Sequence, residues 1–202
     1  ASDVYKRQIV DNASTDNSVE IVRQNFPQVN LVENEQNIGF ARANNQILKT
    51  CQAPYILLLN PDIILKDNTL SRVLNFREQN KDIGIATAKL IRPNGELDYG
   101  CHRGIPTIPG IISYLSGFSR LFPKSKIFGS YHLTYLDIGQ TSEIDAVAGA
   151  FMLVRQKAIQ EIGLLDESFF MFGEDIDLCW RMKKEGWKVY YYAEAEAVHY
   201  GR

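Results

Sequence analysis

The run Pro54-Tyr55-Ile56-Leu57-Leu58-Leu59, halted by Asn60-Pro61-Asp62, limits the fold more than any other stretch of this chain. A continuous apolar run bounded by turn residues suits a strand buried on both faces. Proline cannot continue a buried ladder, so the backbone leaves the sheet at Pro61. Strand-like segments recur around it at Ile9-Val10, Val29–Glu33, Gly84–Leu90, Ala146–Val154 and Lys188–Ala193. Helical patterns fall between them at Ser18–Asn25, Ala41–Cys51, Asp67–Gln79, Arg155–Ile162 and Glu174–Glu185. This alternation argues an α/β fold, a mostly parallel central sheet flanked by helices. In such sheets ligands sit beyond the carboxyl ends of strands, so polar residues that end apolar runs are the first candidates for a site.

Composition narrows the class. The 202 residues carry 22 Lys plus Arg against 24 Asp plus Glu, a formal charge of −2. A near-neutral chain is no electrostatic binder of nucleic acid, and none is expected as a partner. The longest apolar stretch, Ala146–Val154, falls far short of the roughly 20 residues of a membrane span. Cys51, Cys101 and Cys179 form no Cys-x-x-Cys pair, which points to buried or free thiols in a reducing, cytoplasmic compartment. Residues 1–8 run into Ile9 with no Met and no strand-like approach, and read as a non-native scar. That leaves 9–202 as the folding unit.

Residues 98–143 break the rhythm, punctuated by Gly104, Pro106, Pro109 and Gly110. They hold Ile111, Ile112, Tyr114, Leu115, Phe118, Leu121 and Phe122, edged by Arg120, Lys124 and Lys126. The favoured reading is a helical excursion whose apolar face packs on the sheet. The other is a surface patch, 111–126, in peripheral contact with a membrane or a lipid-linked substrate.

Three carboxylate clusters sit where strands end or helices begin. Asp11 to Asp16 follows Ile9-Val10, either as a capped turn or as a group that accepts an N–H from a nucleobase edge. Asp62 closes the most apolar run, either as a plain turn or as a ligand for Mg2+ or Mn2+, which take oxygen ligands from one or two carboxylates and substrate phosphates. No Walker or dinucleotide glycine loop is present, so a phosphate partner would be the metal. The third cluster, Gly173-Glu174-Asp175-Ile176-Asp177, opens a helix in which Asp177 and Arg181 form an i,i+4 pair. Before it, Phe169-Phe170-Met171-Phe172 could wall off a dry pocket and raise the pKa of Asp175 toward that of a base, against the pull of the helix terminus. His199 follows a long β-rich stretch, and a lone His is more often a satisfied structural residue than a ligand.

In this order the segments resemble the inverting glycosyltransferases of family 2, which adopt the GT-A fold, and within them a rhamnosyltransferase-like branch that builds bacterial surface polysaccharide. The resemblance rests on Val10–Asp16, Asn37-Ile38-Gly39-Phe40-Ala41-Arg42-Ala43-Asn44-Asn45, Leu59–Asp62, Gly149–Arg155 and Phe169–Leu178. It implies that Asp11 contacts the donor's base, that Asn37, Gly39 and Arg42 line the donor pocket, and that Asn60 and Asp62 hold the diphosphate. Asp62 and His199 would bind the metal, Asp175 would be the general base with Glu174 beside it, and Gly149 and Ala150 would meet acceptor and sugar. The implied donor is dTDP-rhamnose or a UDP-sugar, and the implied acceptor a glycan or lipid-linked hydroxyl at the inner face of the cell membrane. Members of the family begin with a strand, loop and helix, so the first strand is expected to be missing here. The competing readings are a non-catalytic nucleotide- or carbohydrate-binding module and a nucleotidyltransferase of similar topology.

Overall fold

The computed structural model describes residues 6–201, and the chain divides into two compact units. The first comprises Ala1–Cys51 and Leu164–Glu174; the second comprises Gln52–Gly163 and Asp175–Arg202. Residues 1–5 of the segment read as a scar lie outside the described residues.

The first unit is built on a βαβ turn of chain. Strand β1 (Gln8–Asp11) and strand β2 (Asn30–Glu33) pair in parallel from Gln8 opposite Asn30 to Asp11 opposite Glu33, with helix α1 (Ser18–Asn25) as the crossover. The ladder thus begins at Gln8, inside the segment set aside from sequence. Helix α2 (Phe40–Leu48) buries Ala41, Ala43, Asn45 and Leu48. A buried amide must find partners or lose stability, and Asn45 finds them on the returning segment. Its Nδ2 donates to the Leu165 carbonyl at 2.8 Å, and its Oδ1 accepts from the Leu165 N–H at 3.2 Å. Gly39 precedes α2 with φ +85°, and a Cβ there would lie 2.5 Å from the Phe170 carbonyl oxygen, so only glycine fits.

The second unit carries a six-stranded sheet: β3 (Tyr55–Leu59), β4 (Ile63–Leu65), β5 (Ile83–Ile91), β6 (Ser142–Glu143), β7 (Phe151–Arg155) and β8 (Lys188–His199). Their order is β3-β7-β5-β8-β4, with β6 also on β8. Helices on a central sheet give the expected mixed α/β class, but the strand directions correct the mostly parallel expectation. Only β5–β8 is parallel here; β3–β7, β5–β7, β4–β8 and β6–β8 are antiparallel. β7 enters from the long 98–143 excursion and not from a crossover helix, and runs against both its neighbours, while β4 and β6 each run against β8.

Two strands differ from expectation in extent. β3 is not buried on both faces. Its only ladder among the described residues is with β7, so Ile56 and Leu58 are buried while Leu59 is exposed. The fully enclosed strand is β5, buried from Ile83 to Ala88. Ala146–Ala150 is no strand, and β7 starts at Phe151. Conversely, β8 runs past Ala193 to His199, because Ala195 and Ala197 continue the buried face between Glu194 and Glu196. Opposite β5, its register jumps between Ala88–Tyr192 and Lys89–Glu196, leaving 193–195 as a bulge.

Helix α3 (Thr69–Gln79) contacts β8 and β5. It is fastened by Arg77, whose side chain is wholly buried. The Arg77 guanidinium donates to the carbonyls of Leu153 at 2.6 Å, Ile83 at 2.8 Å and Gly84 at 3.0 Å. Burial, then Arg155 nearby, pull its pKa down to about 9, so it stays charged at neutral pH. A buried guanidinium on three carbonyls ties the start of β5 to the middle of β7. Arg77→Met strips the side-chain donor from the Leu153 and Gly84 carbonyls, while Ile83 keeps Arg155 Nε at 3.1 Å; each unsatisfied buried group costs roughly 1–3 kcal/mol. Urea unfolding should therefore show a fall in stability of roughly 3 kcal/mol or more at unchanged m; a loss under about 1 kcal/mol would contradict the clamp.

Candidate active site

Of the two chemically loaded clusters, one closes a strand and the other opens a helix. The chain leaves β3 at Asn60-Pro61-Asp62 and immediately forms β4, whose pairing sets Ile63 opposite His199. The Tyr200 N–H donates to the Asp62 carbonyl at 3.0 Å, which fixes the same register one step out. In consequence His199 Nε2 lies 3.5 Å from Asp62 Oδ2. The other ring nitrogen, Nδ1, is 2.5 Å from Asp98 Oδ2. A carboxylate on one imidazole nitrogen orients the ring and leaves the other nitrogen to a ligand. Asp62 Oδ1 is buried and has no hydrogen-bond partner among the described residues. An orphaned carboxylate oxygen next to an oriented imidazole fits a hard divalent cation. No group of three His, Cys, Asp or Glu side chains suited to a metal occurs among the described residues. The rest of such a shell would be phosphate oxygens and water.

The second cluster opens the helix Glu174–Lys184. Asp175 Oδ2 accepts from Arg103 Nη2 at 2.9 Å and from the Gly149 N–H at 3.3 Å, while Oδ1 accepts from the Ile176 N–H at 2.8 Å. Its side chain is only 12% exposed, so this carboxylate is held in one orientation. Glu174 beside it is also buried. Asp177 takes the expected structural part, paired to Arg181 at 2.8 Å.

Gly149 and Ala150 join the two clusters. The Gly149 N–H reaches Asp175, and the Ala150 carbonyl accepts from the Asn60 N–H at 2.9 Å. The structure thus brings Asn60, Asp62, Gly149, Ala150, Asp175 and His199 onto one connected set of hydrogen bonds and ion pairs within the second unit. Two partners were not found from sequence, Asp98 and Arg103. Residues 98–103 run antiparallel to 146–148, with Ala148 N–H donating to Gly100 O at 2.7 Å and Ala146 N–H to Arg103 O at 2.9 Å. One end of that short segment delivers Asp98 to His199, the other Arg103 to Asp175. No periodicity marks it; the only sequence cue was its position just after a long buried strand.

The remaining candidates belong to the first unit. Asp11 Oδ2 accepts from the Ser14 N–H at 3.0 Å and closes the turn after β1. Asn12, unremarked as a site residue from sequence, is the hub there. Its Nδ2 donates to Asn37 Oδ1 at 2.7 Å, and its Oδ1 accepts from the Ile38 N–H at 3.1 Å. Asn37 and Arg42, with Gln36, Ile38, Glu167, Ser168 and Phe170, line an open cleft of about 320 Å³. Arg42 Nε is 3.7 Å from Glu167 Oε2 and largely exposed. The aromatic run departs from expectation. Phe169, Phe170, Met171 and Phe172 are all exposed, Phe172 at 82%. Phe172 also holds φ +67°, a strained value for an aromatic residue.

The sequence model of glycosyl transferase family 2 matches residues 4–163, and the chain belongs to that family. Among its relatives, the chain is 32% identical over 172 residues to rhamnosyltransferase WbbL of Escherichia coli, covering 80% of this chain and 61% of that one. It is 27% identical over 206 residues to the N-acetylglucosaminyl-diphospho-decaprenol L-rhamnosyltransferase of Mycobacterium tuberculosis, covering 95% and 65% respectively. The chain thus spans under two thirds of the length of either relative. The fold matches GalNAc-T7 with UDP, GalNAc and Mn2+, at TM-score 0.65 and 14% identity over 96% of this chain and 37% of that one. It also matches the mannosyltransferase PcManGT of Pyrobaculum calidifontis with GDP-Man and Mn2+, at TM-score 0.63 and 17% identity over 95% and 46%.

Beside Arg103, burial keeps two histidines neutral. His102 Nδ1 is 3.1 Å from the His132 carbonyl, and its ring meets Tyr191 edge-on. Burial lowers the pKa of His102; burial, then Arg103 and His102, lower that of His132 to about 4. The unfolded chain, with histidines near 6.5, binds more protons below that value than the folded one. Stability should therefore fall as pH drops from about 6.5 toward 4. Thermal midpoints across that window should decline less steeply for His132→Phe, which keeps the ring packing; an equal slope would refute the assignment.

Proposed function

We propose that the protein transfers a sugar from a nucleoside-diphosphate donor to a hydroxyl of a glycan or lipid-linked acceptor, with inversion, in the building of cell-surface polysaccharide. The observation that carries this reading is the linked pair of centres, Asp62–His199 and Asp175, tied through Gly149-Ala150. Sugar transfer needs two things of a protein: a base for a poorly nucleophilic hydroxyl, and a counter-charge for the departing diphosphate. The two centres suit these tasks, and family membership supports the pairing.

Asp175 serves as the general base. Its carboxylate is fixed by Arg103 and Gly149, and proton removal by a positioned base of this kind contributes roughly 10²–10⁴-fold. Glu174 assists beside it. Asp62 and His199 hold a divalent cation, Mg2+ or Mn2+, which when bound neutralises charge on the diphosphate; the two structural neighbours solved with Mn2+ support that choice. Asn60 holds the turn that presents Asp62, and Gly149 and Ala150 shape the floor for sugar and acceptor. Asp11 reads the donor's base, and Asn37, Gly39 and Arg42 line its pocket. The similarity to two rhamnosyltransferases supports a rhamnose-like sugar, dTDP-rhamnose ahead of a UDP-sugar. A lipid-linked acceptor places the reaction at the cytoplasmic face of the membrane.

A donor panel with Mg2+ and Mn2+, run on the full-length protein, tests the reading. Wild type should release nucleoside diphosphate only with metal. Asp175→Asn should lower turnover by at least about 100-fold while donor binding persists. Asp62→Asn should weaken Mn2+ binding measured directly by calorimetry. Full turnover by Asp175→Asn removes the base assignment, and donor binding without release in wild type favours a binding module.

A further inference from the structure

The two helices of the 98–143 excursion are inside out. In α4 (Ile108–Leu115), Ile108, Ile111, Ile112 and Leu115 recur at the spacing of one helical face, the pattern that normally turns inward. Here that face meets solvent: Ile108 and Leu115 are each 76% exposed and Ile112 is 59% exposed. The buried side is made of Gly110 and Ser113. Ser113 Oγ donates to the Phe128 carbonyl at 2.9 Å, and a Cβ on Gly110 would meet Ser130 Oγ at 2.7 Å. The small residues thus let the helix sit close on the chain beneath while its apolar stripe stays outside. The next helix, α5 (Phe118–Leu121), repeats the inversion, with Ser119 buried and Phe118, Leu121 and the following Phe122 exposed. Ile127 adds another exposed apolar side chain. Single exposed apolar residues are ordinary, but a contiguous set built by two inverted helices is a surface made for contact. This overturns the favoured expectation that the excursion packs its apolar face on the sheet.

Charge selects the partner. Between Asp98 and Asp137 the chain has no acidic residue, although acidic residues outnumber basic ones overall. Arg120, Lys124 and Lys126 are exposed beside the apolar side chains. Apolar side chains that insert, rimmed by cations and free of carboxylates, match an anionic bilayer surface, where both terms act together. A second copy of this surface would instead bring like charges together. No helix among the described residues is long and apolar enough to span a membrane, so the contact would be peripheral.

We infer that the α4–α5 surface, 108–127, docks the protein on anionic phospholipid. The idea deepens the lipid-linked acceptor reading and rests on it for its purpose, while the binding itself needs neither donor nor acceptor. Flotation of the full-length protein with vesicles of phosphatidylglycerol and phosphatidylcholine, against phosphatidylcholine alone, tests it without sugar. Wild type should float with the anionic vesicles and stay behind with the neutral ones. Leu115→Glu with Leu121→Glu should abolish flotation, and neutralising Arg120, Lys124 and Lys126 should cost about fivefold in partitioning per charge. These sites are exposed, so melting temperature and metal-dependent donor hydrolysis should match wild type. Failure to float despite intact hydrolysis overturns the docking inference alone; flotation without transfer overturns the function alone. Light scattering that shows a dimer abolished by the two Glu substitutions, with no vesicle binding, assigns the surface to a second copy and also overturns the proposal.

Discussion

A stretch of six residues, Asp98 to Arg103, hydrogen-bonded along the loop before β7, links the two candidate centres of the larger unit. It has no helix or strand of its own beyond a single tight turn at Tyr99–Cys101, yet its two ends reach the two centres. Remove the pairing of Gly100 with Ala148 and of Arg103 with Ala146, and His199 and Asp175 each lose a charged partner. Buried backbone in an irregular loop is tolerable only where its donors and acceptors are met. Here the two loops meet each other's needs and hand their remaining valences to side chains. The sheet beneath supplies rigidity, through β5 and the buried Arg77, so that the two loops are set on a fixed base.

The expected helices at Ser18–Asn25 and Arg155–Ile162 and the strands around Ile56 and Ile85 match the observed elements closely, because each carries a local period or an uninterrupted apolar run. Strand direction was not legible. It depends on how far the chain travels between strands, and the 98–143 excursion hides that. The candidate site was half legible. Asp62, Asp175 and His199 announce themselves as polar residues ending or opening apolar elements, whereas Asp98 and Arg103 gain meaning only from a pairing across more than forty residues of sequence. The aromatic run Phe169–Phe172 misled for the opposite reason. Hydrophobicity predicts burial on average, yet all four of these side chains are exposed, in a loop where Phe172 holds φ +67°.

The excursion shows the same limit on a larger scale. A helical stripe of Ile108, Ile111, Ile112 and Leu115 fixes which side chains share a face but not which way that face points. The small side chains decide. Gly110, Ser113 and Ser119 permit close approach to the chain below, so the bulky side chains go out. Reading small residues as the contact face, and not as gaps in an apolar one, would have recovered the orientation.

The bulge at 193–195 has a bearing on how this architecture can drift. A strand is ordinarily intolerant of insertion or deletion, since a change of one residue turns every later side chain to the opposite face. β8 is pinned twice, by Val189 to Tyr192 against β5 on one side of the bulge, and by Ile63 and Leu65 against its far end on the other. Changes of length between those anchors can be absorbed in the bulge, leaving the phase of His199 untouched. The hinge-like irregularity therefore acts as an expansion joint. It lets the front of the sheet vary in length while the imidazole stays facing Asp62.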